Sequence, residues 1–213
     1  MARLTKKNRP QQIDEEIIIP DNEVLISVTD PKGIITDAND VFCKVAGYTN
    51  EELIGSPHNC IRHPDMPQIM FKIVWDHIKD RENVMAVVKN LAKDGRYYWI
   101  VTDFVTQVDA DRNIISYTAY RRPIDDKVKE AIIPLYQALT AIEKIEGMDA
   151  SEKFLKAFFE KRDLTYDDMI EDIIVNNCHK ASALGFGDNP KETLKDMNKD
   201  KKKSIFDKLF GIK

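Results

Sequence analysis

Gly47-Tyr-Thr-Asn-Glu-Glu-Leu-Ile-Gly-Ser-Pro-His-Asn-Cys-Ile-Arg-His-Pro-Asp-Met-Pro67 is the stretch on which the reading of this chain turns. Thr49 and Glu52 stand at the spacing of a capping box, and Gly55 closes the helix after about one turn. Pro57, Pro64 and Pro67 then forbid a long regular helix, because proline fixes φ and removes a backbone donor. Between them lie His58, Arg62, His63 and Asp65. A constrained, polar, irregular segment of this kind is either a solvated loop with a few ion pairs or part of a ligand site.

Working upstream, Val24 to Asp30 is β-rich and ends in Asp-Pro-Lys-Gly33, a turn signal, with Ile34 to Asp37 as the returning strand. Asn39 or Asp40 is placed to cap a short helix closed by Gly47. Downstream, Gln68 to Lys79 has helical spacing: Ile69, Ile73 and His77 recur four apart, flanked by Met70, Val74 and Ile78. Val84 to Leu91, Tyr97 to Val108 and Ile114 to Arg121 read as strands, joined by an Asp94-Gly95 hairpin turn and a second turn at 109–113. The order β-β-α-α-α-β-β-β predicts an α+β domain, with short helices covering one face of a mainly antiparallel sheet.

The flanks differ in character. Residues 1–20 read as a flexible N-terminal arm, and 21–124 as the folded domain. A helical extension follows over 125–184. Its first helix, Asp125 to Glu146, contains Pro134, which is expected to kink or divide it. Further helices are expected from Ser151 through Phe159 and from Thr165 to Val175. Residues 185–200 are rich in Gly, Asn, Pro and charge and read as a linker. In 201–213 five lysines accompany Ile205, Phe206, Leu209 and Phe210, which share one helical face. That pattern suits an amphipathic tail touching an anionic membrane or a partner's groove.

Composition narrows the function. The 213 residues are 43% hydrophobic, enough for a core, and the net charge of -4 speaks against nucleic acid. Cys43, Cys60 and Cys178 are not in metal or disulfide spacing, which points to a reducing compartment, and no apolar run approaches the roughly 20 residues of a membrane span. A cytoplasmic location is expected. No P-loop, zinc motif or nucleophile elbow is present, so no catalytic residue and no metal ligand is assigned and enzyme activity is not expected. A pocket between sheet and helices would draw on Arg62, His63 and Asp65 for charge, on Asn39 and Asn90 for amides, and on Phe71, Trp75, Tyr98 and Trp99 for flat surfaces. That set suits a planar heteroaromatic cofactor with polar edges. The alternative is that Trp75 and Trp99 simply fill the core.

Taken together, Asp37-Ala-Asn-Asp40, Gly47-Tyr-Thr49, Glu52-Leu-Ile-Gly55, the Pro57–Pro67 segment, Trp75, Val88-Lys-Asn90, Lys93-x-Gly95, Tyr98-Trp99 and Tyr117…Arg121 resemble the PAS sensor domain of Aer-type aerotaxis receptors. The resemblance runs from about Val24 to Pro123 and more weakly through Leu139. It implies a PAS fold, non-covalent FAD, and a redox sensor that signals to a membrane-bound methyl-accepting chemotaxis receptor from the inner face of the membrane. With no anchor of spanning length and no long coiled-coil signalling domain in the sequence, a stand-alone soluble form is expected, and a homodimer through the PAS domain or the helical extension is one option for its assembly. The flavin-binding positions the resemblance carries over are Arg62, His63, Asp65, Asn39, Asn90, Trp75, Tyr98 and Trp99. One departure is that Asn83-Val-Met-Ala86 replaces the family's Pro-Trp-x-Gly, removing an aromatic surface. Two alternatives stay open. One is haem held by His58, His63 or His77. The other is a PAS interaction module without flavin that regulates a kinase or a cyclic-nucleotide enzyme. Cys60, after Asn59, reads as a small buried residue rather than a flavin-reactive thiol.

Overall fold

The computed structural model describes residues 4–5 and 8–175. The expected linker at 185–200, the tail at 201–213, and Cys178 lie outside the described residues. Two compact units are present. The first comprises residues up to Met66 together with Lys72–Ile124, and the second comprises Pro67–Phe71 with the residues from Asp125 onward.

In the first unit, strands β1 (Leu25–Thr29), β2 (Ile35–Ala38), β3 (Val84–Leu91), β4 (Tyr97–Val108) and β5 (Ile114–Pro123) form one antiparallel sheet in the order β2-β1-β5-β4-β3. The two hairpins meet where β1 pairs with β5, so the last strand sits at the centre of the sheet. Strand alternation puts Leu25, Ser27, Val88, Asn90, Tyr98, Ile100, Thr102, Ala119 and Arg121 on one face, in register across four strands. We call it the inner face, because helix α1 (Asp40–Ala46), the short helix α2 (Asn50–Leu53) and a 3-10 turn (His58–Ile61) contribute Phe42 and His58 to it. Local sequence sets these helices. Asn39 caps α1 by accepting from Phe42 N at 2.9 Å, and Gly47 closes it at φ 74°. Thr49 and Glu52 form the expected capping box. Gly33, at φ 79°, lets the β1–β2 turn lie against the Trp75 ring, where a Cβ would come within 3.0 Å.

One sequence expectation is corrected and another is narrowed. The arm at 1–20 is not a free segment over its described part. Ile13 and Ile17 donate to the carbonyls of Gly95 and Tyr97 at 2.8 and 2.7 Å, Tyr97 N donates to Glu15 O, and Ile19 is buried. The reason lies in the sheet: β5 pairs with β4 only from Ile100 onward, which leaves the backbone of Tyr97 on that side for the arm to satisfy. Pro134, for its part, does not divide its helix: α4 runs unbroken over Asp126–Glu146. Ile132, Leu135, Tyr136 and Leu139 are buried on either side of the proline, and their packing offsets the one missing helical hydrogen bond.

In the second unit, helix α3 (Gln68–Lys79), which also belongs to the first unit through Lys72–Lys79, begins beside α4. Both oxygens of Glu143 accept from its first amides, Gln68 N at 2.7 Å and Ile69 N at 2.8 Å, and Ser151 Oγ donates to the same carboxylate at 3.1 Å. The Glu143 side chain thus serves as the N-cap that Pro67 cannot provide. Helix α5 (Met148–Glu160) starts directly after Gly147, earlier than the sequence suggests, and α6 (Tyr166–Val175) opens with Thr165 and Asp168 capping each other. Among the described residues no helix is long and apolar enough to cross a membrane.

Candidate functional site

The inner face carries an unusual buried polar cluster. Arg121, on β5, is 1% exposed. Its guanidinium donates to the Ala119 carbonyl at 3.2 Å and to His58 Nε2 at 2.6 Å, and it lies 5.0 Å from the Phe42 ring centroid. Every one of these partners is neutral, and among the described residues no ion pair involves Arg121. Burial alone pulls its pKa down to about 10, with the nearby Tyr98 opposing.

His58 is held in one protonation state by geometry. Because Nε2 receives the Arg121 donor, that nitrogen carries a lone pair, and the Ser27 hydroxyl, 3.2 Å away, donates to it as well. Desolvation, reinforced by the Arg121 charge, pushes the imidazole down to about 3, so it is neutral throughout the physiological range.

Next to this pair stand groups with no hydrogen-bond partner. Thr102 is paired in register with Arg121, and Asn90 with Tyr98. Among the described residues the Thr102 hydroxyl, the Tyr98 hydroxyl and the Asn90 amide nitrogen are buried with no partner in good hydrogen-bond geometry, although Asn90 stands near enough to the Tyr98 hydroxyl to favour its ionised form slightly. Burial also drives the Tyr98 phenol well above its ordinary pKa, which keeps it protonated as a donor. Buried polar groups are nearly always paired, so such groups beside a cation with no ion pair among the described residues set this face apart as the candidate site. A fourth orphan, Thr118, sits on the opposite face.

The eight residues expected at the site divide into separate groups. Asn90 and Tyr98 come together on the inner face, and the backbone of Arg62 bridges to Asn90 at the β3 edge. The Arg62 side chain donates to Met66 O at 2.7 Å, shaping its own loop. His63 and Asp65 lie on the other side. The His63 ring meets Tyr97 edge-on at 5.9 Å, its Nδ1 accepts from Asp65 N, and Asp65 pairs with Lys89 at 3.4 Å. Burial first, and then the Lys89 charge, pushes His63 down to about 4. Trp99 faces that same side, one residue out of phase with Tyr98, with Lys89 Nζ 5.9 Å from its ring. Trp75 packs on Tyr117 at 5.6 Å, beside the Gly33 turn. Asn39 spends its amide on the backbone, accepting from Ile26 N and Phe42 N and donating to Val24 O. Arg121, Thr102 and Ser27 are not legible in the sequence as ligand groups, and His58 is legible only as a member of the Pro57–Pro67 segment and as a haem ligand. The available signal was an arginine in phase with Tyr117 and Ala119 along a strand, at a position that should be apolar.

Residues 35–121 match the family model described as the PAS fold. This region is a PAS domain. The aerotaxis receptor of Escherichia coli (strain K12) is 39% identical over 134 residues, which is 63% of this chain and 26% of that protein. The biofilm dispersion protein BdlA of Pseudomonas aeruginosa is 27% identical over 97 residues, 45% of this chain and 23% of that one. A crystal structure of a PAS domain from Colwellia psychrerythraea aligns at 25% identity and TM-score 0.45, over 48% of this chain and 87% of that chain. The chain thus spans about a quarter of the length of these curated relatives. The five-stranded antiparallel sheet with helices on its inner face, followed by C-terminal helices, is the architecture the sequence order predicts. Among the described residues, no group of three His, Cys, Asp or Glu side chains could hold a metal ion.

Proposed function

We propose that this chain is the sensory part of a taxis-type signalling system, in which the inner face of the PAS domain holds FAD and its redox state is passed to a membrane-bound chemotaxis receptor. The observation that carries the reading is the cluster of Asn90, Tyr98, Thr102 and Arg121, in a domain 39% identical to part of an aerotaxis receptor. The donor set suits the pyrimidine edge of a flavin. That edge presents carbonyls and ring nitrogens for Tyr98, Thr102, Arg121 and the Asn90 amide nitrogen to donate to. Bound there, the cofactor would supply reversible uptake of electrons and a proton.

The chain's own part is to seat and orient that edge, exclude water behind Phe42 and Tyr98, and keep His58 neutral. The segment around Arg62 bridges to Asn90 and leads through Met66 into the chain of α3. In this reading residues 21–124 are the sensor and the helical extension from 125 is the output, working in the cytoplasm beside a receptor partner. Haem is the weaker reading for His58 and His63, because the lone pair of His58 Nε2 is taken by Arg121 and that of His63 Nδ1 by Asp65 N.

The test is spectroscopic. Protein purified from a flavin-replete host, or titrated with FAD, is expected to show bound oxidised-flavin absorbance. Asn90→Ala is expected to weaken FAD about ten-fold, the value of a hydrogen-bond pair in a dry site. A Soret band, or the absence of flavin uptake by the wild type, would overturn the reading.

A further inference from the structure

Burying a guanidinium is costly, and proteins ordinarily match it with a carboxylate or a bound anion. Arg121 has neither among the described residues. It has two neutral acceptors and an aromatic face, and two of its five N–H donors suffice for the hydrogen bonds to Ala119 O and His58 Nε2. His58 cannot neutralise it, since the imidazole is neutral and is itself fixed by Ser27. The Thr102 hydroxyl is in register with Arg121, and Tyr98 lies on the same face of β4. The cluster has positive charge and spare donors but no negative group.

We infer that Arg121, seated by His58 and Ser27, is the anion-recognising residue of the inner-face site, and that the site holds its ligand more tightly in a negatively charged form than in a neutral one. The inference rests on the flavin reading above and deepens it. An oxidised flavin ring is neutral. Two electrons from a donor, with one proton taken from solvent, leave the ring with a single negative charge. A fixed buried cation therefore favours the reduced ligand and raises the midpoint potential. Thr102 and Tyr98 lend hydrogen bonds to either form, but only Arg121 distinguishes the two by charge.

The experiment compares wild type, Arg121→Gln, Arg121→Met and Arg121→Lys, with circular dichroism to confirm folding. FAD is titrated into each, and the bound flavin is then reduced with dithionite against a reference dye. In Arg121→Gln, affinity for reduced FAD is expected to fall ten- to hundred-fold more than affinity for oxidised FAD. This is a midpoint lower by about 30–60 mV for a two-electron couple. Arg121→Lys, which keeps the charge, is expected to recover most of that shift. Equal midpoints in wild type and Arg121→Gln, or no recovery with lysine, would overturn the inference.

A second readout needs no flavin. Ligand-free Arg121→Met is expected to unfold at higher urea than ligand-free wild type, because an uncompensated charge has been removed. A lower midpoint would mean that the guanidinium is already balanced, and would also overturn the inference. Failure of the wild type to take up FAD sinks the flavin reading alone, and the urea comparison then decides the anion seat.

Discussion

Thr102→Val puts the site to a quantitative test. Thr102 is fully buried on the inner face, and its hydroxyl has no partner. Leaving a buried hydroxyl unsatisfied costs about 1–3 kcal/mol, and valine keeps the same branched shape and strand preference. In the ligand-free protein the substitution is therefore expected to stabilise, by about 1–2 kcal/mol. For a unit of this size each kcal/mol corresponds to roughly 4–8 °C in the unfolding transition. Thr118→Val is the natural companion, since Thr118 is equally orphaned but lies on the opposite face, and it is expected to bring a similar gain. The two variants part company when FAD is added. Thr102→Val loses one hydrogen bond to the ligand, worth about 0.5–1.5 kcal/mol, and binds about three- to ten-fold more weakly. Thr118→Val binds as wild type does. Thermal unfolding by circular dichroism and fluorescence titration with FAD read both quantities. A ligand-free Thr102→Val less stable than wild type, or an equal loss of FAD affinity in both variants, would refute the assignment of the inner face as the ligand surface.

Two further outcomes follow from the electrostatics and the helix caps. His58 and His63 are both held below the ordinary histidine pKa of 6.5, at about 3 and about 4, so the native state binds fewer protons than the unfolded chain between those values. Stability is therefore complete above pH 6.5 and is lost as pH falls toward 4, by at most about 1.4 kcal/mol per pH unit for each histidine. Urea unfolding at pH 7, 6 and 5 measures the slope, and His63→Gln should remove about half of it; an unchanged slope would count against the assignment. Separately, Glu143→Ala removes the acceptor of two amides in the first turn of α3. Amide exchange at Gln68 and Ile69 is expected to quicken at least ten-fold, with a loss of about 1–2 kcal/mol. Unchanged protection at these two amides would show that another group caps the helix.

Local chemistry made the order of elements readable from the sequence alone. Asn39 and Gly47 bracket α1, Thr49 and Glu52 box α2, Asp94-Gly95 turns the β3–β4 hairpin, and period-two runs mark the strands. Each of these depends on neighbours a few residues away, and each appears in the structure where the sequence puts it. The residues around Pro57–Pro67 also sufficed to mark the PAS resemblance. Only tertiary structure could decide which polar side chains share a surface. Arg62, His63 and Asp65 are adjacent in sequence, yet the bridge to Asn90 leaves Arg62 alongside the inner-face strand residue and turns His63 and Asp65 toward Lys89 and Tyr97. Tyr98 and Trp99 are neighbours in the chain and face opposite ways, because successive strand residues alternate. Arg121 and His58 are 63 positions apart, and their nitrogens meet at 2.6 Å. That encounter exists only because the last strand enters the sheet beside the first, a long-range pairing that no local propensity encodes.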